Sequence, residues 1–145
     1  MKNKQVDAYM KTAFTFSECS TATKMKVGAI IVDPETGAIV SVGYNGTLPG
    51  SCNTCEKDGK TIDEVLHAEE NAIAKLARNG YPASGKWMFV THSPCVKCAR
   101  LMIASGIEHV FYANGYQSKR SIGDGLPLLR KHCVNVFQWT TNIPI

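Results

Sequence analysis

The run Trp87-Met88-Phe89-Val90-Thr91, the Ser93-Pro94 step, a helical pattern over 95–105 that stops at Gly106, and a second apolar run over 107–113 read as strand, helix, strand. Working outward from this unit, Val27-Gly28-Ala29-Ile30-Ile31-Val32 is a continuous β-branched run. Ala38-Ile39-Val40-Ser41-Val42-Gly43-Tyr44 is a second. Asp33-Pro34-Glu35-Thr36-Gly37 joins them, so the pair predicts a β-hairpin with a five-residue loop. Ahead of it, residues 4–22 carry Val6, Ala8, Tyr9, Met10, Ala13, Phe14 and Phe16 at helical spacing without Gly or Pro, which predicts an amphipathic helix. Residues 64–79 repeat Val65, Leu66, Ala68, Ala72, Ile73, Leu76 and Ala77 and end at Gly80, a second helix. Residues 126–132 read as a short helix and 134–137 as a last strand. Strands alternating with helices after an opening hairpin imply a layered α/β domain with a mixed sheet.

The remaining stretch, 45–63, is rich in Gly, Asn, Thr, Asp and Lys, holds Pro49, and reads as a long ordered loop of the kind that carries function. The chain has 145 residues, which fits one domain spanning 1–145. Its composition, 44% hydrophobic and 19% charged, is that of a chain able to bury a core. No apolar run approaches the ~20 residues that span a bilayer, and the amino terminus lacks an apolar leader, so a soluble, cytoplasmic protein without membrane association is expected. The net charge of +4 suits an anionic small molecule and falls short of a nucleic-acid-binding stripe. In a reducing compartment the six cysteines read as metal ligands or buried apolar residues, not as a disulfide framework.

Two segments carry chemistry: His67-Ala68-Glu69 and Pro94-Cys95-Val96-Lys97-Cys98. Taken separately, the first is usually a surface pair, and the second reads as structural zinc, a redox motif or neither. Together they agree in ligand type, order and element. Two thiolates spaced by two residues at a helix start turn to one point, where the helix dipole favours the ionised form. A histidine from a neighbouring helix completes three protein ligands, and three ligands with an open position are the arrangement of a catalytic zinc holding a water. Glu69, two residues beyond His67, is placed for general acid–base work on that water. His-x-Glu followed by Pro-Cys-x-x-Cys is the signature of zinc deaminases.

At these residues the chain resembles the cytidine and deoxycytidylate deaminase superfamily, and within it the deoxycytidylate (dCMP) deaminases most closely. Four blocks carry the resemblance: Val27 to Val32, Gly43-Tyr44-Asn45-Gly46-Thr47 with Pro49-Gly50, His67-Ala68-Glu69-Glu70-Asn71-Ala72-Ile73, and Ser93-Pro94-Cys95-Val96-Lys97-Cys98. The transfer-RNA adenosine deaminases and riboflavin-pathway deaminases share the zinc blocks, and Gly43-Tyr44-Asn45-Gly46 is the block that separates them. The resemblance implies a three-layer α/β/α cytidine-deaminase-like domain with a five-stranded mixed sheet. It further implies catalytic Zn2+ held by His67, Cys95 and Cys98, with Glu69 shuttling protons as dCMP becomes dUMP and ammonia, a supply of dUMP for thymidylate synthesis. It implies that Asn45 contacts the sugar and that the backbone around Ala68 and Ser93 bonds the pyrimidine edge. Lys26, Tyr112, Tyr116 and Lys119 are phosphate-binding candidates by position, each with a plain alternative as a core tyrosine or a solvated lysine.

The resemblance also implies a homo-oligomer, a hexamer or dimer, with dCTP and Mg2+ activating and dTTP inhibiting near Gly43, Tyr44, Asn45 and Gly46. Some members hold a second, structural zinc. Here Cys19, Cys52 and Cys55 fall in broadly similar regions, with His92 as a fourth candidate, although Cys19 stands further from Val27 than the family pattern expects. Cys133 reads as a buried strand-edge residue. Two other functions stay open on the residues alone. Deamination of a base inside a polynucleotide needs stacking aromatics and strong positive charge, which 8% aromatic content and +4 do not supply. A zinc-stabilised nucleotide sensor would leave Glu69 without a task.

Overall fold

The computed structural model describes residues 2–116 and 123–140. Helix α1 (Asn3–Ser17) precedes a hairpin of β1 (Gly28–Val32) and β2 (Ile39–Tyr44). A small hairpin, β3 (Glu56–Lys57) and β4 (Lys60–Thr61), precedes helix α2 (Ala68–Arg78). Then β5 (Trp87–His92), α3 (Val96–Ser105), β6 (His109–Asn114), α4 (Leu126–Lys131) and β7 (Asn135–Gln138) follow in alternation. The main sheet has five strands in the order β2-β1-β5-β6-β7. β1 is antiparallel to both β2 and β5, whereas β5, β6 and β7 run parallel, which is the expected mixed sheet.

The period of two along each strand sorts the core into two layers. Ala29 and Ile31 of β1, Met88 and Val90 of β5, and Val110 and Tyr112 of β6 pack with Ala72, Leu76, Ala99, Met102, Leu126 and Leu129 from α2, α3 and α4. The alternate positions, Ile30, Val32 and Phe89, pack with Met10 and Ala13 of α1 and with Trp139. The domain is therefore a three-layer α/β/α sandwich, and β1, buried at all five positions, is apolar throughout because helices cover both of its faces. The parallel half is built from strand–helix–strand units, and α3 stops where Gly106 takes a left-handed turn at φ 86°.

Four features depart from the sequence expectation for local reasons that can be traced. α1 ends at Ser17 and not at residue 22, and beyond it the Ser20 hydroxyl bonds the Asn45 carbonyl, tying the chain to the loop after β2. α2 starts at Ala68 and not at residue 64, because Leu66 pairs with Gly46 through two backbone hydrogen bonds of 2.8 and 3.1 Å. The stretch read as a long loop contains a hairpin of β3 and β4, joined at Asp58 and Gly59, both at positive φ. Cys133 is exposed and not buried. It sits at φ 62° in the turn closing α4, where its N–H bonds the Arg130 carbonyl and that of Val134 bonds Leu129, so the chain buries Val134 in its place. Among the described residues no helix is long and apolar enough to cross a membrane.

Candidate metal centre and active site

Both chemical segments sit at helix starts. His67 is the N-cap of α2, with extended backbone at φ −69° and ψ 157°, and the Glu70 carboxylate accepts its backbone N–H at 3.0 Å. Cys95 is the N-cap of α3, and Cys98 lies in that helix's first turn. The positive ends of two helix dipoles thus face one point, which favours ionised thiols there. His67 Nδ1 is 3.6 Å from Cys95 Sγ and 3.3 Å from Cys98 Sγ, and all three ligand atoms lie within 4.8 Å of one another. Around a tetrahedral zinc, a nitrogen and a sulfur ligand lie about 3.5 Å apart. The donor set and its spacing therefore fit zinc, and three protein ligands leave a fourth position for a reactant.

The three groups share protons in a definite sense. Cys95 is pulled down to about 4, first by the hydrogen bond from Cys98 and further by His67. Cys98 is pushed upward by giving its hydrogen to Cys95 and by burial. His67 is raised, chiefly by its hydrogen bond to Cys95. Beside them Glu69 is only 4% exposed, and burial lifts its carboxyl to about 7. A carboxyl near neutrality can both take and return a proton, as general acid–base work requires.

A cavity of about 540 Å³ opens onto this point, lined by His67, Ala68, Glu69 and Cys95 together with Asn45 and Ser93. His92 and Tyr116 line it as well. Ser93 is held from outside the zinc motif: its hydroxyl donates to Asp124 Oδ1 at 2.9 Å, and the same oxygen accepts the Leu126 N–H at 3.1 Å. Further backbone bonds, Val96 N–H to Gly123 and Gly125 N–H to Pro94, sew that segment to the start of α3. Asn45 is engaged with its own chain: its Oδ1 accepts the Val27 N–H at 2.9 Å and its Nδ2 donates to the Met25 carbonyl at 2.7 Å.

Several expected residues lie elsewhere. Tyr112 is 7% exposed within the core packed under α2, α3 and α4 and does not line the cavity. Lys26 is exposed and absent from the lining, where Lys24 stands instead. Lys119 lies outside the described residues. Cys19, Cys52, Cys55 and His92 are not drawn into a ligand set; among the described residues His67, Cys95 and Cys98 are the group of three that is. Cys55 is buried against the Thr21 hydroxyl, Cys52 is exposed beside Thr54, and His92 belongs to the main cavity. Gly43, Tyr44 and Gly46 also stay out of the cavity lining. The Tyr44 carbonyl accepts from Asn71 Nδ2 at 3.1 Å, Lys75 stands over the Tyr44 ring, and Gly46 pairs with Leu66.

Sequence reading missed Lys24, Glu56, Thr61, Val65 and Asp124. Glu56 Oε1 accepts the backbone N–H groups of Thr23 and Lys24 at 2.8 and 3.3 Å, binding the β3 hairpin to the segment before β1. No local pattern signals such a contact. The Asp-Gly turn that builds the hairpin was the available clue.

A buried carboxylate next to a histidine and two thiols at paired helix starts, on an α/β/α sandwich, defines the class of zinc-binding deaminase domains. The family model described as "Cytidine and deoxycytidylate deaminase zinc-binding region" matches residues 3–114, and the chain belongs to that family. The chain is 35% identical to ComE operon protein 2 of Bacillus subtilis, over 68% of this chain and 53% of that protein, so it spans about half the length of that relative. It is 30% identical to the deoxycytidylate deaminase of Enterobacteria phage T4, over 93% of this chain and 88% of the phage protein. The crystal structure of the dCMP deaminase of cyanophage S-TIM5 in complex with dCMP and dUMP superposes with a TM-score of 0.88 at 41% identity. It covers 96% of this chain and 99% of the cyanophage chain.

Proposed function

We propose that this chain, as one deaminase domain over 1–145, converts dCMP and water to dUMP and ammonia. The observation that carries the reading is Glu69, a carboxyl raised to about 7 by burial in the same cavity as the His67, Cys95 and Cys98 triad. The substrate follows from likeness to the cyanophage enzyme crystallised with dCMP and dUMP. His67, Cys95 and Cys98 would hold zinc, which would lower the pKa of a water to ~7 and so make hydroxide available at neutral pH. In the reaction a C–O bond forms at the pyrimidine 4-carbon and the C–N bond to the amino group breaks. Glu69 takes a proton from the water and returns it to the departing amine. The backbone at Ala68 and Ser93 orients the pyrimidine edge, and Asn45, fixed by Val27 and Met25, presents its remaining hydrogen-bonding capacity to the sugar.

Activation by dCTP with Mg2+, inhibition by dTTP, hexamer or dimer assembly, a second structural zinc and a cytoplasmic place in thymidylate supply belong to the same proposal. They rest on the motif resemblance alone. The test is an activity panel on the zinc-loaded protein with dCMP, dCTP, deoxycytidine and a single-stranded oligonucleotide, with ammonia release as readout, run with and without dCTP and dTTP. dCMP should be turned over fastest, and Glu69→Gln should keep zinc while losing activity by a factor of ~10² to 10⁴. An active Glu69→Gln variant refutes the mechanism, and preference for the oligonucleotide refutes the substrate.

A further inference from the structure

His92 is the last residue of β5 and lines the cavity together with Lys24 and Ser93. Its Nδ1 lies 2.8 Å from the hydroxyl oxygen of Thr91. Thr91 is fully buried, and its oxygen already accepts the Gly28 N–H at 3.2 Å. A buried hydroxyl hydrogen needs an acceptor, and the ring nitrogen is the one within reach. The Thr91 O–H therefore donates to Nδ1, and a neutral imidazole that accepts at Nδ1 carries its proton on Nε2. Burial holds His92 below the usual histidine range, which keeps the ring neutral. Nε2 has no hydrogen-bond partner among the described residues.

Ser93 donates to Asp124, Glu56 accepts from Thr23 and Lys24, and Asn45 clasps Met25 and Val27. A fixed neutral donor in one cavity with the Lys24 ammonium suits a group with several strong acceptors and negative charge. We infer that His92 is a substrate-binding residue whose Nε2–H donates to the 5′-phosphate of the nucleotide, and that Thr91 is the positioning residue that sets its tautomer. This rests on the reading of the cavity as a nucleoside monophosphate site, and it withdraws His92 from any second zinc.

The test compares wild type, His92→Leu and His92→Gln, all zinc-loaded, with dCMP and deoxycytidine as substrates. Loss of one hydrogen bond to a charged group should raise KM for dCMP about tenfold or more in His92→Leu. The fall in kcat/KM should be larger for dCMP than for deoxycytidine, and should lie in KM more than in kcat. Gln places an amide nitrogen near the Nε2 position and should restore KM. An unchanged preference for dCMP over deoxycytidine in His92→Leu overturns the inference. Independently, nitrogen-15 NMR of wild type should show His92 protonated at Nε2, and protonation at Nδ1 overturns the assignment. If wild type deaminates neither substrate, the proposed function fails, and calorimetric titration with dUMP and deoxyuridine still decides the role of His92. Selective weakening of dUMP in His92→Leu supports it; equal weakening of both ligands overturns it.

Discussion

The Cβ that Gly43 lacks would lie 2.3 Å from the carbonyl oxygen of Ala68 and 2.6 Å from the amide nitrogen of Ala72, so the first turns of α2 rest directly on the backbone of β2. That turn carries Glu69 and is capped by His67. A methyl group at this position must push the helix start away from the sheet. Gly43→Ala is expected to destabilise the fold by about 1–3 kcal/mol and to weaken zinc retention, read by thermal unfolding and metal content. A variant with native stability and full zinc would show that α2 does not depend on this contact.

Glu69 also ties stability to pH when zinc is absent. Its carboxyl is raised from 4.5 to about 7 by burial. A raised carboxyl contributes stability that is full below its unfolded value and is lost as pH rises through its folded value. The zinc-free wild type should therefore lose stability relative to zinc-free Glu69→Gln between about pH 5 and pH 8, by ~3 kcal/mol in order of magnitude. Urea titrations of both proteins at the two pH values measure it. Equal slopes would place the carboxyl's titration elsewhere.

Zinc uptake should release protons. Near neutrality the Cys98 thiol keeps its hydrogen because it donates to Cys95, and His67 is raised by the same cluster. A divalent cation displaces these protons, so affinity should fall as pH falls. Calorimetry in buffers of different ionisation enthalpy should give buffer-dependent heats, and buffer-independent heats would rule out the proton-sharing triad. Cys98→Ala should retain little zinc.

Asp124 holds the Ser93 hydroxyl and the first N–H of α4 with one oxygen. Asp124→Ala should lose about 1 kcal/mol of stability with the lost hydrogen bonds from Ser93 and Leu126 and raise KM severalfold, with zinc content intact. Asp124→Asn keeps an acceptor and should fall between. A kcat loss with unchanged KM would mean that Ser93 acts on the reacting centre and not on binding.

Much of the fold and the grouping of His67, Cys95 and Cys98 was legible because those signals are local. The β5–α3–β6 pattern lies in consecutive residues, and Cys95 and Cys98 share one helix start with Pro94 beside it. His67 and Glu69 were recognisable as a pair at the other helix start. For Tyr112 the sequence left pocket and core both open, since a tyrosine near a strand end serves a pocket or a hydrophobic layer depending on which helices cover it, and the fold puts it in the core. Lys24 lines the cavity and Lys26 does not, in a segment whose backbone N–H groups at Thr23 and Lys24 are held by the Glu56 carboxylate from the distant β3 hairpin.

The amino-acid order thus specifies the elements, the apolar faces and the metal-binding residue types, all of which follow from periodicity and spacing along a short stretch of chain. The partners of buried polar groups came only with the folded chain. His92 passed from a candidate zinc ligand to a cavity donor because Thr91 is buried where β1 runs beside β5, with the Gly28 N–H on its oxygen from 63 positions away. A buried donor or acceptor must be satisfied by whatever the fold brings to it. That requirement couples residues distant in the chain, and no local pattern records it.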